Sequence, residues 1–392
     1  MRLLSRVIIG FIICVFIVQD AVHAQSAIDD QEDNSPNLLD RIDLSEVEAY
    51  WQDMRHDYQD YLPEIDRLTV KDLVTNNQSL SIKEVLRTFL NIIGYEVIAN
   101  GRLLGQLIVL TIISALLRNI QSAFQTETVN SIASFVLMLV LTTLAIQSFT
   151  AISELVIQTI GQMHSFIIAL LPLQLSLLAS VGGIVSVAFF HPIIISFLHI
   201  TVFLTEKVIL SLIFFSLILH LVSSMNKAFQ LTKLADLLRQ VGLGLLTVCL
   251  TVFLTVLSAQ GAVTAIQDGL AIKTTKFVSN NFIPVVGRMF SDATDTIFAA
   301  THVLKNGIGI FGLVTLLLMI SWPIIKVGIV GLAYKLAAAI LQPIGESQLV
   351  KCLTIISKHI FYLLACLFVV SFMFMMTIVI LLVASNITLM IR

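Results

Sequence analysis

The chain has 392 residues, of which 57% are hydrophobic and 12% are charged, and its mean hydropathy is +0.95. Soluble domains carry about 25% charged residues, so this composition excludes a soluble globular protein and indicates an integral membrane protein. The net charge of −2, without a large basic domain, gives no basis for nucleic-acid binding.

The first 24 residues have the layout of a secretory signal peptide. Two arginines precede an apolar run over residues 7–18, and a small-residue pattern ends at Ala24. An uncleaved anchor is the alternative, although the run is short for a stop-transfer span. Residues 25–102 carry 16 acidic and 7 basic side chains, whereas residues 103–392 carry 8 and 14. We therefore expect the acidic part to be extracytoplasmic and the rest to lie in the membrane.

The exported part divides into a leader and a helical segment. Residues 25–45 are acidic and lack aromatic side chains, which predicts a flexible leader. Residues 46–102 are predicted to form amphipathic helices, the first of which ends near Pro63. A second helix begins at Ser81, where Ser81 and Glu84 fit a capping box. Its apolar face has two possible places, the bilayer surface or the membrane domain.

Eight apolar stretches have the length of membrane crossings, which need about 20 apolar residues each. They run over residues 103–117, 129–149, 155–180, 184–204, 208–222, 241–258, 308–332 and 360–385. The first six form a membrane domain over residues 103–258, and the last two lie in residues 307–392. The predicted fold class is therefore all-α, a polytopic helical bundle with about eight transmembrane helices and a tight turn at Gly182-Gly183.

Basic residues near the ends of the crossings predict the orientation, because Lys and Arg are retained on the cytoplasmic side. If residues 25–102 are exported, the connections that carry Arg118, Lys227 and Lys351 all face the cytoplasm. The connection over residues 259–306 falls outside despite its four basic residues. A miscounted or re-entrant segment there is therefore an open alternative.

An amphipathic helix is predicted within this outer connection, over Phe282–Ala300. Its apolar residues recur at helical spacing, and Pro284 suits the first turn. Arg288, Asp292 and Asp295 cluster on the opposite face. The helix is either interfacial with its charges in water, or re-entrant or pore-lining. In the second case these three side chains line or gate an aqueous path.

Inside the crossings, few polar residues are candidates for a function. Pro192 removes a backbone hydrogen bond and kinks its helix, so His191 either caps the freed backbone or relays protons. Lys326 lies beside Pro323, and its long stem can reach the interface. Phosphate loops, zinc-binding helices and nucleophile turns are missing from the sequence. We therefore expect no enzymatic activity, no cofactor and no metal site.

Long motifs resemble the stage III sporulation protein AE family of endospore-forming bacteria. They are "FFHPII" (189–194), "TKLADLLR" (232–239), "TTKFVSNNFIPVVGRMFSDATDTIF" (274–298) and "YKLAAAILQPIG" (334–345), with "EVEAYWQDM" (46–54) and "NGRLLGQLIVLTI" (100–112) extending the similarity. The resemblance covers nearly the whole chain from about Glu46 onward, and the motifs are unlike general transporter signatures.

The resemblance implies a membrane subunit of the channel complex, or feeding tube, that links the mother cell with the engulfed forespore. It implies partners from the stage III sporulation A complex, including a cytoplasmic ATPase and ring-forming proteins between the two membranes. It also implies a role in forespore development and late forespore gene expression, with the chain in the mother-cell-derived outer forespore membrane. Its N-terminal segment would face the intermembrane space.

Two other functions are compatible with the sequence. One is a structural membrane scaffold for ring assembly, in which the charged stripe is only an interfacial face. The other is a stand-alone secondary transporter, for which charges near the middle of the membrane are expected. The transported solute, the stoichiometry and the choice between pore and scaffold stay open at this stage.

Overall fold

Long helices make up the described part of the molecule. The computed structural model describes residues 48–49, 51–52, 82–124, 127–225, 230–282, 286–344 and 348–391. In chain order the helices are α1 (Ile82–Ala99), α2 (Gly101–Phe124), α3 (Glu127–Ser180), α4 (Ile184–Phe203), α5 (Leu210–Met225), α6 (Thr232–Phe282), α7 (Val286–Leu341) and α8 (Gln348–Ile391). A π-helical turn, Leu204–Ile209, joins α4 to α5, and a 3-10 turn, Gln342–Ile344, follows α7. The predicted signal peptide, the acidic leader and Ser81 lie outside the described residues.

The number of crossings differs from the predicted eight. Within the described residues, five helical segments are long and apolar enough to cross a membrane. They are Phe135–Ser180, Ile184–Ser224, Thr232–Ala259, Leu304–Leu341 and Gln348–Val383. A sixth arises if Leu90–Ala99 and Gly101–Leu110, which meet at a bend of 49°, count as one broken span.

Two of the predicted breaks between crossings are helical in the structure. This explains why the sequence predicts more crossings than the structure contains. Residues 150–154 lie inside α3, and residues 205–207 lie in the π-helical turn between α4 and α5. Neither stretch contains glycine or proline, so polar side chains interrupt the apolar pattern without stopping the helix. The structure therefore does not confirm two separate crossings in either of these regions.

The predicted turn at Gly182-Gly183 is confirmed. Gly182 has a φ of 93°, a conformation that costs little only for glycine. The Gly183 amide donates to the Leu178 carbonyl over 2.9 Å. A Cβ on Gly183 would lie 2.9 Å from that carbonyl oxygen and 2.6 Å from the Leu178 side chain. Both glycines are therefore required where α3 ends and α4 begins.

The turn folds α3 back along α4 and α5 in antiparallel fashion. The Phe149 and Phe214 rings pack at 5.7 Å between centroids, and the His164 and His199 rings at 4.8 Å. Both pairs are symmetric about the turn. The turn and Met225 therefore lie at opposite ends of the bundle, whereas eight alternating crossings would place them on the same side.

The centre of the bundle is the antiparallel pair α7 and α8. In the apolar segments of α7 and α8, 61% and 67% of the residues are buried, against 28–33% in the other three candidate spans. Small residues permit the close approach: a Cβ on Gly309 would overlap Leu382, and one on Gly312 would lie 2.5 Å from Leu170 on α3. Ser357 Oγ also donates to the Gly331 carbonyl over 2.9 Å.

The outer connection consists of two helix extensions. Helix α6 continues past its apolar part to Phe282, and α7 begins at Val286. The amphipathic helix predicted over Phe282–Ala300 is helical from Val286 onward, but it is the first part of α7 and not a separate element. A 56-residue helix is about 84 Å long, so this segment and the span that follows it form one continuous helix.

Helix α1 contacts the membrane domain through one side, whereas Leu90 and Ile93 of its predicted apolar face are exposed. Ile92 and Glu96 of α1 are buried, and Glu96 contacts Trp322 on α7. Trp51, from the predicted exported segment, is 2% exposed and packs against Phe311 at 5.3 Å between ring centroids. The described parts of this segment therefore lie against α7.

Candidate functional site

A polar network joins three helices at the end of the bundle where α5 ends and where α6 and α8 begin. Its members are Ser216 and His220 on α5, Asp236 and Arg239 on α6, and His359 and Tyr362 on α8. We call these six residues the Ser216 network. Polar groups within apolar helices are costly unless they bond to one another, so their convergence from three helices marks a candidate functional site.

Ser216 lies at the centre of the network and is fully buried. Its hydroxyl is 2.7 Å from the carbonyl oxygen of Ala235 on α6 and 3.1 Å from Nε2 of His359 on α8. One small side chain therefore contacts the backbone of one neighbouring helix and the imidazole of another.

Two histidines enter the network in the same way. Nδ1 of His220 lies 2.9 Å from the Ser216 carbonyl, and Nδ1 of His359 lies 2.8 Å from the Ile355 carbonyl, each four residues earlier on its own helix. The rings pack at 5.3 Å between centroids. Each backbone bond fixes its ring and turns Nε2 toward the other members of the network.

Asp236 and Arg239 form the accessible edge. Asp236 Oδ1 lies 3.0 Å from Nη2 of Arg239 and 3.6 Å from Nε2 of His220. Arg239 Nη1 donates to the Tyr362 hydroxyl over 2.8 Å. The side chain of Asp236 is 45% exposed, that of His220 is 12% exposed, and His359 is 2% exposed. The network thus runs from a half-exposed carboxylate to a buried imidazole.

Contacts beside the network hold the same helix ends together. Ser224 Oγ lies 2.8 Å from Cys352 Sγ, and the Gln348 side-chain amide donates to the Ser224 carbonyl. Cys352 in turn lies 3.6 Å from the Met138 sulfur on α3. Helices α3, α5 and α8 therefore meet at this end of the bundle.

A second polar cluster surrounds Glu96, which is 3% exposed. Its Oε1 accepts a hydrogen bond from Trp322 Nε1 on α7 over 2.5 Å, and its Oε2 accepts one from Asn100 Nδ2 over 2.8 Å. Lys326 Nζ lies 4.6 Å from the centroid of the Trp322 ring. We call these four residues the Glu96 cluster, which lies beside the bend between α1 and α2.

Lys326 is thus placed by a cation–π contact with Trp322 and not only by its stem. It is half-buried, and the aromatic face partly replaces the water that the ammonium would lose. Of the candidate residues that the sequence places inside the crossings, Lys326 is the one with a permanent charge. The structure supplies a reason why it is tolerated there.

His191 and Pro192 do not join either polar group. Both are exposed on α4, which continues through Pro192. The histidines that meet are instead His220 with His359, and His164 with His199. The proposed relay role of His191 has no partner among the contacts that the structure describes for it.

Arg288, Asp292 and Asp295 lie in the first three turns of α7. The structure gives the helical backbone there, and the side chains of these three residues lie outside what it describes. Their role in lining or gating a path stays a prediction.

Lys305 is the most deeply buried charged residue among those described, with 0% exposure. Its Nζ donates to the Leu381 carbonyl on α8 over 2.8 Å. This bond ties α7 to α8 at the end of the bundle opposite the Ser216 network. Sequence analysis counted Lys305 only as a basic residue of the outer connection.

Most of the Ser216 network is invisible in local sequence patterns. Asp236 and Arg239 lie in the motif "TKLADLLR", but His359 lies 143 residues beyond Ser216. No local spacing connects residues so far apart. Among the described residues, no group of three or more His, Cys, Asp or Glu side chains is arranged to hold a metal ion. The expectations that the protein has no metal, cofactor or enzymatic activity stay predictions.

Comparisons with known proteins agree on one family. A family model described as "Stage III sporulation protein AE" matches residues 66–385. A protein of Bacillus subtilis (strain 168), named "Stage III sporulation protein AE", is 41% identical over 380 residues, which cover 96% of this chain and 95% of that protein. No solved structure matches the chain at a significant level.

Proposed function

Because this chain belongs to the stage III sporulation protein AE family and so has a role in sporulation, we propose that it is a membrane subunit of the channel complex between the mother cell and the engulfed forespore. In this proposal it lies in the outer forespore membrane, which derives from the mother cell, with its N-terminal segment in the intermembrane space. Its partners are the other stage III sporulation A proteins, including a cytoplasmic ATPase and intermembrane ring proteins.

The observation that carries this proposal is the extension of α6 and α7 beyond their apolar segments. The apolar stretches of the sequence end at Ser258 and begin again at Ile308, yet α6 continues to Phe282 and α7 begins at Val286. The extra 24 residues of α6 are about 36 Å long and the extra 22 of α7 about 33 Å. Two helices that leave the apolar region at one end provide a binding surface for partner proteins outside the bilayer.

The tight packing of α7 on α8 favours a second candidate, a structural scaffold for ring assembly. These helices form the most buried part of the bundle, and Gly309, Gly312 and Gly331 bring them and α3 close together. A rigid centre suits a subunit that holds neighbouring proteins in register. In this case the charged residues of the α7 extension contact partners and do not border a path.

The test is genetic complementation in an endospore-forming host whose own copy of the gene is deleted. The chain is compared with a variant in which Arg288, Asp292 and Asp295 are replaced by alanine. We expect the wild-type chain to restore late forespore gene expression and to co-purify with the other stage III sporulation A proteins. We expect the triple variant to reduce both by at least tenfold. Lys335→Ala, an exposed charge at the other end of α7, is the matched control.

The outcomes separate the candidates. Loss of gene expression with normal co-purification would indicate that the three side chains line a path, and loss of both, which is the expected result, would indicate that they bind partner proteins. Full activity of the triple variant would remove these three residues from either role. Solute uptake by vesicles that contain only the purified chain would instead favour a stand-alone transporter.

A further inference from the structure

We propose that the Ser216 network is a proton-binding site, in which one proton is shared by the imidazoles of His220 and His359 and enters through Asp236. This inference goes beyond membership of the channel complex, which assigns no ligand to the network. It rests on the hydrogen-bond geometry of three helices.

The bonds around His359 require one proton more than a neutral ring supplies. Nδ1 carries the hydrogen that it donates to the Ile355 carbonyl, so Nε2 of a neutral ring has only a lone pair. The Ser216 hydroxyl has a single hydrogen, yet it faces both this lone pair at 3.1 Å and the Ala235 carbonyl oxygen at 2.7 Å. Two oxygens 2.7 Å apart need a hydrogen between them.

A second proton on His359 resolves this conflict. Nε2–H then donates to Ser216 Oγ, and the Ser216 hydroxyl donates to the Ala235 carbonyl. Every contact in this part of the network becomes a hydrogen bond. If His359 is neutral, the single Ser216 hydrogen serves either Nε2 of His359 or the Ala235 carbonyl oxygen. The other contact then brings two lone pairs together with no hydrogen between them, which is unfavourable in a buried place.

His220 has the same arrangement at the accessible end. Nδ1 carries the hydrogen for the Ser216 carbonyl, so Nε2 of a neutral ring points a lone pair at Asp236 Oδ1, 3.6 Å away. A proton on Nε2 turns this contact into an ion pair. Arg239 contacts the same carboxylate oxygen from the other side, which holds the carboxylate in position to pass a proton inward.

The site holds one proton rather than two. The two rings are 5.3 Å apart, and two positive charges at that distance repel strongly away from water. Asp236 and Arg239 neutralise each other, so the bound proton is the net charge of the site. The Ser216 hydroxyl lies between the two rings, 3.4 Å from Nδ1 of His220 and 3.1 Å from Nε2 of His359. When His220 holds the proton on Nε2, the transfer to His359 moves the Nδ1 hydrogen to Ser216 Oγ and the hydroxyl hydrogen to Nε2 of His359.

The other charged groups described around the network do not replace this proton. On α8, Tyr362 accepts from Arg239, and Lys351 and Lys358 are exposed. On α6, Lys233 is exposed. On α7, which packs against α8, the Tyr334 hydroxyl donates to Ser148 on α3, and Lys335 is exposed. Asp236 is therefore the one described carboxylate that faces the histidines.

Among the residues that the structure describes, the hydrogen-bonded chain ends at His359. On α8, Ile360, Leu363, Cys366 and Leu367 follow it, all buried and without a basic nitrogen. A proton that enters at Asp236 is therefore bound and returned at the same end of the bundle. Its effect is on how α5, α6 and α8 are held together.

Histidine nitrogen NMR on the full chain in lipid nanodiscs tests the proposal directly. With ¹⁵N-labelled histidine, we expect the Nε2 signals of His220 and His359 to become partly protonated as the pH falls from about 8 to about 5, the range in which histidine titrates. The two protonated fractions should sum to about one, because the rings share a single proton. The chain has eight histidines. His220→Gln and His359→Gln therefore assign the two signals, and His191→Gln on the exposed face of α4 is the control.

Asp236→Asn provides a test that leaves both rings in place. We expect the protonated fraction of His220 at about pH 6 to fall at least twofold, because an opposite charge within about 4–6 Å favours the charged form of the ring. If a glutamine variant does not fold, the pH series of the wild-type chain and the Asp236→Asn variant still test the proposal. Nε2 atoms that stay unprotonated down to pH 5, or an unchanged His220 fraction in Asp236→Asn, would overturn the proposal.

Discussion

Glu96 shows how this protein keeps a carboxylate inside an apolar bundle. The group accepts hydrogen bonds from Trp322 and Asn100, so its two oxygens are both satisfied. Sequence analysis named Lys326 but not Glu96, because Trp322 lies 226 residues away along the chain. The Glu96 carboxylate is visible in the sequence. Its pairing with the Trp322 N–H, which makes its burial tolerable, is not.

The first prediction concerns this donor. Trp322→Phe removes the indole N–H but keeps an aromatic ring, and it should lower the free energy of unfolding by about 1–3 kcal/mol, because a buried acceptor loses its partner. Thermal unfolding of the purified full chain in detergent measures the effect. Asn91→Ala, at an exposed position on α1, should change little. Equal stability of Trp322→Phe and the wild type would show that the bond contributes nothing.

The second prediction concerns Lys305, which is buried with a backbone carbonyl as its partner. Lys305→Met keeps the length of the side chain and removes a buried charge, so stability should be unchanged or increased. Lys305→Glu reverses the charge beside the Leu381 carbonyl and should destabilise the protein. The same thermal assay compares the two variants. A large loss of stability in Lys305→Met would mean that the ammonium itself is needed.

At the scale of single elements, the sequence is most reliable where glycine fixes the backbone. The turn at Gly182-Gly183 was predicted because two adjacent glycines separate two apolar stretches, and Gly182 does adopt a positive φ. The ends of the crossings at residues 150–154 and 205–207 were predicted from polar residues alone. Those residues continue a helix, since a helix satisfies its own backbone whatever its side chains are.

The third prediction tests this turn. Gly182→Ala should cost about 1–2 kcal/mol, because it forces a side chain into the left-handed conformation. Gly183→Ala should cost more, because its Cβ would meet the Leu178 carbonyl at 2.9 Å. Gly244→Ala is the control, since a Cβ there has no neighbour within 4 Å. The order of unfolding temperatures checks the argument, and a Gly244→Ala variant as unstable as the others would contradict it.

At the scale of the whole molecule, the antiparallel packing of α3 on α4 and α5 changes the expected sidedness of one turn. Eight alternating crossings place the Gly182 turn with the basic α5–α6 connection. Five longer helices place the two at opposite ends. With the broken segment over residues 90–110 counted as a sixth crossing, the other basic connections keep their sides in both arrangements, because each merged pair replaces two crossings by one and the two merged pairs compensate each other.

The fourth prediction follows from that difference. A membrane-impermeant thiol reagent should label Ser180→Cys from the extracytoplasmic side and Gln230→Cys only after permeabilisation. Both positions are exposed in the structure. The chain without an added cysteine gives the background from its own thiols, of which Cys352 and Cys366 are buried. Labelling of both positions from the same side would restore the eight-crossing arrangement.

The length of the apolar helices leads to a mismatch with the lipid. The segments Phe135–Ser180 and Ile184–Ser224 contain 46 and 41 residues, or about 69 and 62 Å of helix, whereas the hydrocarbon layer is about 30 Å thick. Even at a tilt of about 40°, the upper end of the usual range, the shorter segment spans about 47 Å along the bilayer normal. About 17 Å of apolar helix therefore extends beyond the hydrocarbon layer and is not covered by acyl chains. Contact with water is unfavourable for these apolar side chains, so we expect lipid headgroups or other proteins to cover them.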